Sequence, residues 1–150
     1  MRAALDSNVL AYAEGTDEPE RQAQALALIR SIPDGSLVVP VQVLAELFNV
    51  LLRKARLQRR TVRSRVLAWR DAYPVLETSP VVLSRAIDLA TDHQFSIWDA
   101  VILSAASEAG CRLLLSEDMH DGFTWGGVTI VNPFAPSPNK LLDALRQSAL

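Results

Sequence analysis

The chain has 150 residues, of which 49% are apolar, with 15 basic and 17 acidic side chains and a formal net charge of −2. One domain of that length can bury ~70% of the surface its unfolded form exposes, which excludes global disorder, and the near-balanced charge argues against the overall basic character usual in nucleic-acid binders. No apolar run reaches ~18 residues, so no membrane-spanning helix is expected, and Asp6 interrupts the apolar start too early for a secretory signal.

In chain order, Arg2-Ala3-Ala4-Leu5 is predicted as a short strand that delivers the polar turn Asp6-Ser7-Asn8, with Ser7 capping the helix that follows. Ala25, Leu28, Ile29 and Ile32 have helical spacing within a predicted helix over 18–31, and Pro33-Asp34-Gly35 marks a turn. Leu37-Val38-Val39 reads as a buried strand. A long helix over 41–54 carries one polar stripe, Gln42, Glu46, Asn49 and Arg53, on an otherwise apolar cylinder. A helix over 59–72, a short strand at 75–77 and a helix over 80–93 with Pro80 in its first turn come next. Ser96 caps a helix over 97–109 that Gly110 stops. Arg112 to Leu115 is a strand, 116–122 a polar loop, and Val128-Thr129-Ile130-Val131 a last strand closed by Asn132-Pro133. No repeat, low-complexity tract or linker divides residues 1–150, so a single domain is expected. Short apolar strands alternating with helices imply an α/β fold whose parallel sheet is covered on both faces.

Active crevices in open α/β sheets lie at the carboxyl ends of the strands, and there this sequence places acids. Asp6 follows the first strand, and Glu117 and Asp118 follow Leu113-Leu114-Leu115; Glu46 and Asp99 stand near the starts of two mostly apolar helices. Carboxylates sharing a crevice repel one another, and a divalent cation relieves that repulsion. Oxygen ligands suit Mg²⁺ or Mn²⁺, whose chemistry in such a site is phosphodiester hydrolysis. Each acid also has a structural reading: Asp6 as a turn or cap residue, Glu46 on a solvated face, Asp99 in a capping box with Ser96, and Glu117, Asp118 and Asp121 as ordinary loop acids. Ser7, Asn8 and Ser116 are the polar neighbours available to orient Asp6. His93 and His120 share no metal-ligand spacing, and no glycine-rich phosphate loop or nucleophile elbow is present. Cys111, the one cysteine, reads as a buried small residue; it excludes an internal disulfide and a Cys-based zinc site, which points to a reduced, cytoplasmic setting.

Eight of the 15 basic residues fall between Arg53 and Arg70, a span without an acid. Arg56, Arg59, Arg60 and Arg63 share a face when the segment is read as helix, opposite much of the Val62, Val66, Trp69 stripe. Arginine's fork suits bidentate phosphate contact. The face is therefore read as contacting RNA or an acidic partner segment, against the plain alternative of a solvated charge run.

Taken together, Asp6-Ser7-Asn8 after the first strand, Glu46 in a buried helix, Trp98-Asp99-Ala100 opening a later helix and Ser116-Glu117-Asp118 after a strand resemble the PIN-domain nucleases. The stretch 95–121 and the Val-Asn-Pro-Phe ending at 131–134 are most similar to the VapC-type toxins of toxin–antitoxin pairs. The resemblance covers nearly the whole chain. It implies a three-layer α/β/α sandwich with a mainly parallel sheet and a Mg²⁺- or Mn²⁺-dependent ribonuclease. Asp6 and Asp99 would be metal ligands, direct or through water. Glu46 would complete the acidic site, Asp118 would be the fourth acid, and Ser116 the hydroxyl residue two positions before it, with Glu117 in support. The resemblance further implies products with a 5′-phosphate and a 3′-hydroxyl, a homodimer, and a small antitoxin partner. Which of Glu117, Asp118 and Asp121 points inward stays open at this point. Competing readings are an RNA-processing PIN nuclease without an antitoxin and a non-catalytic PIN-like binding module, the latter disfavoured by the presence of all four acids. A haloacid-dehalogenase-type phosphatase would want a second Asp where Asn8 stands.

Overall fold

A computed structural model describes residues 1–148. The strands are β1 (Ala3–Leu5), β2 (Leu37–Pro40), β3 (Val75–Leu76), β4 (Leu113–Leu115), β5 (Thr124–Trp125) and β6 (Val128–Val131). The helices are α1 (Ser7–Ala13), α2 (Pro19–Ser31), α3 (Val41–Arg53), α4 (Arg59–Ala72), α5 (Pro80–His93), α6 (Ile97–Glu108) and α7 (Lys140–Gln147). They build a three-layer α/β/α sandwich around one sheet of order β3-β2-β1-β4-β6-β5. All pairings are parallel except β5 with β6.

Residues of β1, β2 and β4 are buried throughout, as expected of parallel strands covered on both faces. Helix α6 lies over β2, β4 and β6 and packs along α5; its run Ala100–Ala106 is buried continuously, and the small residues at 100, 105 and 106 admit the sheet closely. Helix α3 lies against β2, α1 and α4, while α2 packs on α1. The far end of α1 is tied to α4 by Glu14, which accepts from Trp69 Nε1 at 2.8 Å and pairs with Arg65 at 3.2 Å.

Three differences from the sequence reading have local causes. First, the cap of α1 is Asp6, not Ser7: the Asp6 carboxylate accepts the Ser7 N–H, and Ser7 already has helical backbone. Second, Gly126 and Gly127, with φ of 56° and 81°, form a two-residue turn that folds Thr124-Trp125 back on β6 as an antiparallel edge strand. Third, α7 forms beyond the last strand, with Asn139 accepting from the N–H groups of Leu141 and Leu142 while Leu142 and Leu145 are buried. Arg56 is also displaced from its expected place. It lies in the loop before α4 with φ of 51°, so only Arg59, Arg60 and Arg63 belong to the helix.

The chain runs outward from β1 to β2 and β3, then returns to β4 on the other side of β1. That reversal opens a crevice at the carboxyl ends of β1 and β4. Leu114 is fully buried at the middle of β4; Leu114→Ala is expected to lower the free energy of unfolding by about 2–5 kcal/mol in a urea titration.

Candidate active site

Asp6 leaves β1 directly into the crevice and is only 4% exposed. Its backbone N–H continues the sheet by donating to the Leu115 carbonyl at 3.0 Å, which fixes the residue against the end of β4. One carboxylate oxygen, Oδ1, accepts the Ser7 N–H at 2.7 Å. The other, Oδ2, accepts Ser116 Oγ at 2.7 Å and Asn8 Nδ2 at 3.2 Å. The three sequence-predicted neighbours of Asp6 are thus all engaged with it.

Ser7 Oγ donates to Glu46 Oε2 at 2.9 Å, which brings the half-buried acid of α3 to the same place. Glu46 therefore faces inward, and the polar stripe of α3 is not simply a solvated face. Asn8 reaches across to the loop after β4: its Oδ1 accepts the Glu117 N–H at 3.2 Å, and its Nδ2 lies 3.4 Å from Asp118 Oδ2. Asp99 stands in the first turn of α6, where its N–H donates to Ser96 Oγ at 3.1 Å. The capping and the site reading of Asp99 hold together, since its carboxyl also feels the charge of Asp118.

The loop acids separate cleanly. Asp118 faces Asn8, and its charge is felt at Asp99. Glu117, expected as a supporting site acid, turns instead toward α1 and α2, where it accepts from Tyr12 Oη at 2.5 Å and pairs with Arg21 at 3.2 Å. Asp121 accepts the Asn132 N–H at 2.8 Å and so holds the loop to the end of β6. Of the basic residues, Arg56, Arg59, Arg60 and Arg63 are all exposed, and their side chains make no ion pair or hydrogen bond among the described residues. Tyr12 and Arg21 escaped the sequence reading because neither belongs to an acidic or basic cluster; only the fold brings them beside Glu117.

Burial pushes the Asp6 carboxyl up from 3.8 to about 6; the hydrogen bonds from Ser116 and Ser7 oppose the rise, and the charges of Glu46 and Asp99 add to it. Glu46 is raised by burial, against hydrogen bonds from Ser7 and Gln42, with Asp99 adding to the rise. Asp99 is raised by burial, held back by Ser96, and pushed further by Asp118 while His120 opposes. No ion pair among the described residues involves Asp6, Glu46, Asp99 or Asp118.

This donor set suits a hard divalent cation: it is all oxygen, negatively charged and makes no ion pair among the described residues. It is not a closed cage. Among the described residues no three Asp, Glu, His or Cys side chains converge tightly enough to enclose an ion. An ion held by one or two carboxylates with waters completing its shell is the habit of Mg²⁺ rather than of Ca²⁺ or Zn²⁺.

The family model for the PIN domain matches residues 3–120. No curated protein sequence matches the chain. Among solved structures, VapC20 of Mycobacterium tuberculosis, described as a sarcin–ricin loop cleaving toxin, superposes with a TM-score of 0.66 and 19% identity over 77% of this chain and 89% of that one. A toxin–antitoxin complex from Klebsiella pneumoniae gives 0.65 and 20%, over 88% of this chain and 98% of that one. FitAcB from Neisseria gonorrhoeae gives 0.60 and 18%, over 88% and 98%. At these identities the likeness is one of fold.

A carboxyl with a higher pKa folded than unfolded contributes stability that is complete below its unfolded value and is lost as the pH rises through its folded value. For Asp6 the window runs from 3.8 to about 6, and the contribution lost is on the order of 3 kcal/mol. Metal-free protein is therefore expected to resist urea better at pH 5 than at pH 7.5. In Asp6→Asn that pH-dependent gain should shrink clearly; an unchanged gain would show that Asp6 is not the titrating group.

Proposed function

The chain belongs to the PIN-domain family, and from that premise we propose that it is a divalent-metal-dependent endoribonuclease acting as the toxin of a toxin–antitoxin pair. The nuclease reading is supported by Asp6, Glu46, Asp99 and Asp118 standing around the carboxyl ends of β1 and β4, with no ion pair among the described residues to neutralise them. The toxin reading is supported by the sequence resemblance and by the toxin and the toxin–antitoxin complex among the structures of the same fold. It makes an antitoxin the natural partner. A homodimer and a cytoplasmic setting belong to the same proposal. No helix among the described residues is long and apolar enough to cross a membrane.

Asp6 and Asp99 would hold Mg²⁺ or Mn²⁺, and the bound ion supplies charge stabilisation at the phosphoryl oxygens together with acidification of water. The protein's own residues prepare that site. Ser7, Asn8 and Ser116 satisfy Asp6 so that its carboxylate keeps one orientation without a cation. Glu46, held by Ser7 and with its pKa raised by burial, would serve as a proton acceptor in the reaction. Asp118, at the exposed rim, completes the negative site. The free arginines 59, 60 and 63 on α4, with Arg56 before it, offer phosphate contacts that gather the RNA strand. The cleavage expected leaves a 5′-phosphate and a 3′-hydroxyl.

Purified protein is expected to cut RNA internally in Mg²⁺ or Mn²⁺ and to stop on addition of EDTA. Asp6→Asn and Asp99→Asn should each lower the rate more than about 100-fold with circular dichroism unchanged. Full activity in EDTA would sink the metal mechanism. For the toxin reading, expression should arrest growth, and co-expression of the adjacent small reading frame should restore it; unimpaired growth would leave an RNA-processing nuclease as the better reading.

A further inference from the structure

Three features remain unused by the site: the turned-away Glu117, the uncharged run Asn132-Pro133-Phe134, and an arginine on α2 packed between aromatic rings. They meet at one place. The Arg21 guanidinium stands 5.4 Å from the centre of the Tyr12 ring and 5.0 Å from that of Phe134. The two rings meet edge to face at 5.4 Å. From this aromatic seat Arg21 reaches Glu117 at 3.2 Å, and the Tyr12 hydroxyl donates to the same carboxylate at 2.5 Å. Phe134 is itself fixed, because its N–H donates to Asn132 Oδ1 at 2.9 Å while the Asn132 N–H donates to Asp121 at 2.8 Å.

The loop 117–121 is therefore tied at both ends from the same segment. At its start Glu117 is gripped by side chains of α1 and α2 that rest on Phe134. At its finish Asp121 is gripped by Asn132. Between these ties, Asn8 accepts the Glu117 N–H and Ser116 Oγ accepts the Met119 N–H at 3.3 Å, while Met119 is buried. Asp118, flanked by the held Glu117 and the buried Met119, projects toward Asn8. A flat guanidinium lying on aromatic faces while its edge pairs with a carboxylate is a geometry that lysine does not reproduce.

We infer that Arg21, Tyr12, Glu117 and Phe134 form a brace that positions Asp118 for reaction, with Glu117 acting as an anchor and not as an acid of the site. The inference rests on the nuclease reading in that Asp118 must belong to the reacting site for the brace to affect turnover. The loop geometry it describes is independent of that reading. Displacing a reacting group by about 1 Å costs up to ~100-fold in rate, so the brace acts on turnover more than on RNA affinity.

The test compares wild type with Glu117→Ala, Glu117→Gln, Arg21→Lys and Arg21→Ala, measuring kcat, KM and amide exchange of residues 117–121. Glu117→Ala and Arg21→Ala are each expected to lower kcat about 10-fold with KM within about twofold of wild type. The double variant should be no worse than either single one. Glu117→Gln, which still accepts the Tyr12 hydroxyl, should recover part of the loss, and Arg21→Lys should not. Exchange at 117–121 should rise at least about 10-fold in Glu117→Ala, with β4 still protected. Wild-type kcat in Glu117→Ala would overturn the brace and leave the nuclease reading standing. A Glu117→Gln variant as inactive as Asp6→Asn would also overturn it, by placing Glu117 in the acidic site. If wild type cuts no RNA with any divalent ion, the nuclease reading fails, and the exchange measurement decides the brace alone: unchanged exchange in Glu117→Ala would end it.

Discussion

The Asp6 carboxylate is buried at the end of the central strand without an ion-pair partner among the described residues, and the rest of the structure is arranged around that cost. Burying an unpaired carboxylate is unfavourable. It persists here because four local devices support it: the helix-capping bond from the Ser7 N–H, the Ser116 hydroxyl, the Asn8 amide and the backbone bond to Leu115. All of them follow from requirements of the fold. Capping starts α1, the β1–β4 pairing fixes Leu115 and Ser116, and the strand reversal puts both ends in one crevice. The hydrogen bonds do not offset the burial fully, which is why the carboxyl is pushed up to about 6.

That residual cost separates an acid site from an ordinary cap. A solvated capping aspartate favours its charged form through hydrogen bonds to backbone N–H groups. Asp6 shows the opposite balance, and Glu46 and Asp99 lean the same way for the same reason, burial. Three acids are raised together, a fourth stands at the rim, and none of them makes an ion pair among the described residues. Arg59, Arg60 and Arg63 of α4 do not supply the balancing charge, because they are exposed and make no ion pair among the described residues. The net charge of −2 thus averages over two separated features, a buried negative site and a free positive helix face. Neither is visible in the total.

Much of this was legible in the sequence because strand ends and acids coincide there. Asp6 follows an apolar triplet, and so does Ser116-Glu117-Asp118, which is enough to place both at the carboxyl edge of a parallel sheet. The bounds of α3 and α6 followed from periodicity and from the Ser96 cap. Glu46 was ambiguous, since a polar stripe suits water as well as a neighbour; the Ser7 hydroxyl decides for the neighbour. The choice among Glu117, Asp118 and Asp121 could not be read from adjacency, because it depends on Tyr12, Arg21 and Asn132, which are distant in sequence. Arg56 was misplaced because helical phase was carried one turn too far, across a left-handed residue. The Gly126-Gly127 hairpin and the Asn139 cap of α7 did have sequence signals, a glycine pair between β-formers and an amide before Leu141-Leu142.

If a divalent cation completes the acids around Asp6, thermal unfolding in that ion and in EDTA at pH 7.5 will show it. An ion bound well below its free concentration stabilises the fold by mass action, and a Tm gain of about 5 °C in Mn²⁺ or Mg²⁺ is expected for a chain of this size. Asp6→Asn should lose that gain. Wild-type protein melting at the same temperature in the ion and in EDTA would contradict cation binding there, as would a gain that survives in Asp6→Asn undiminished.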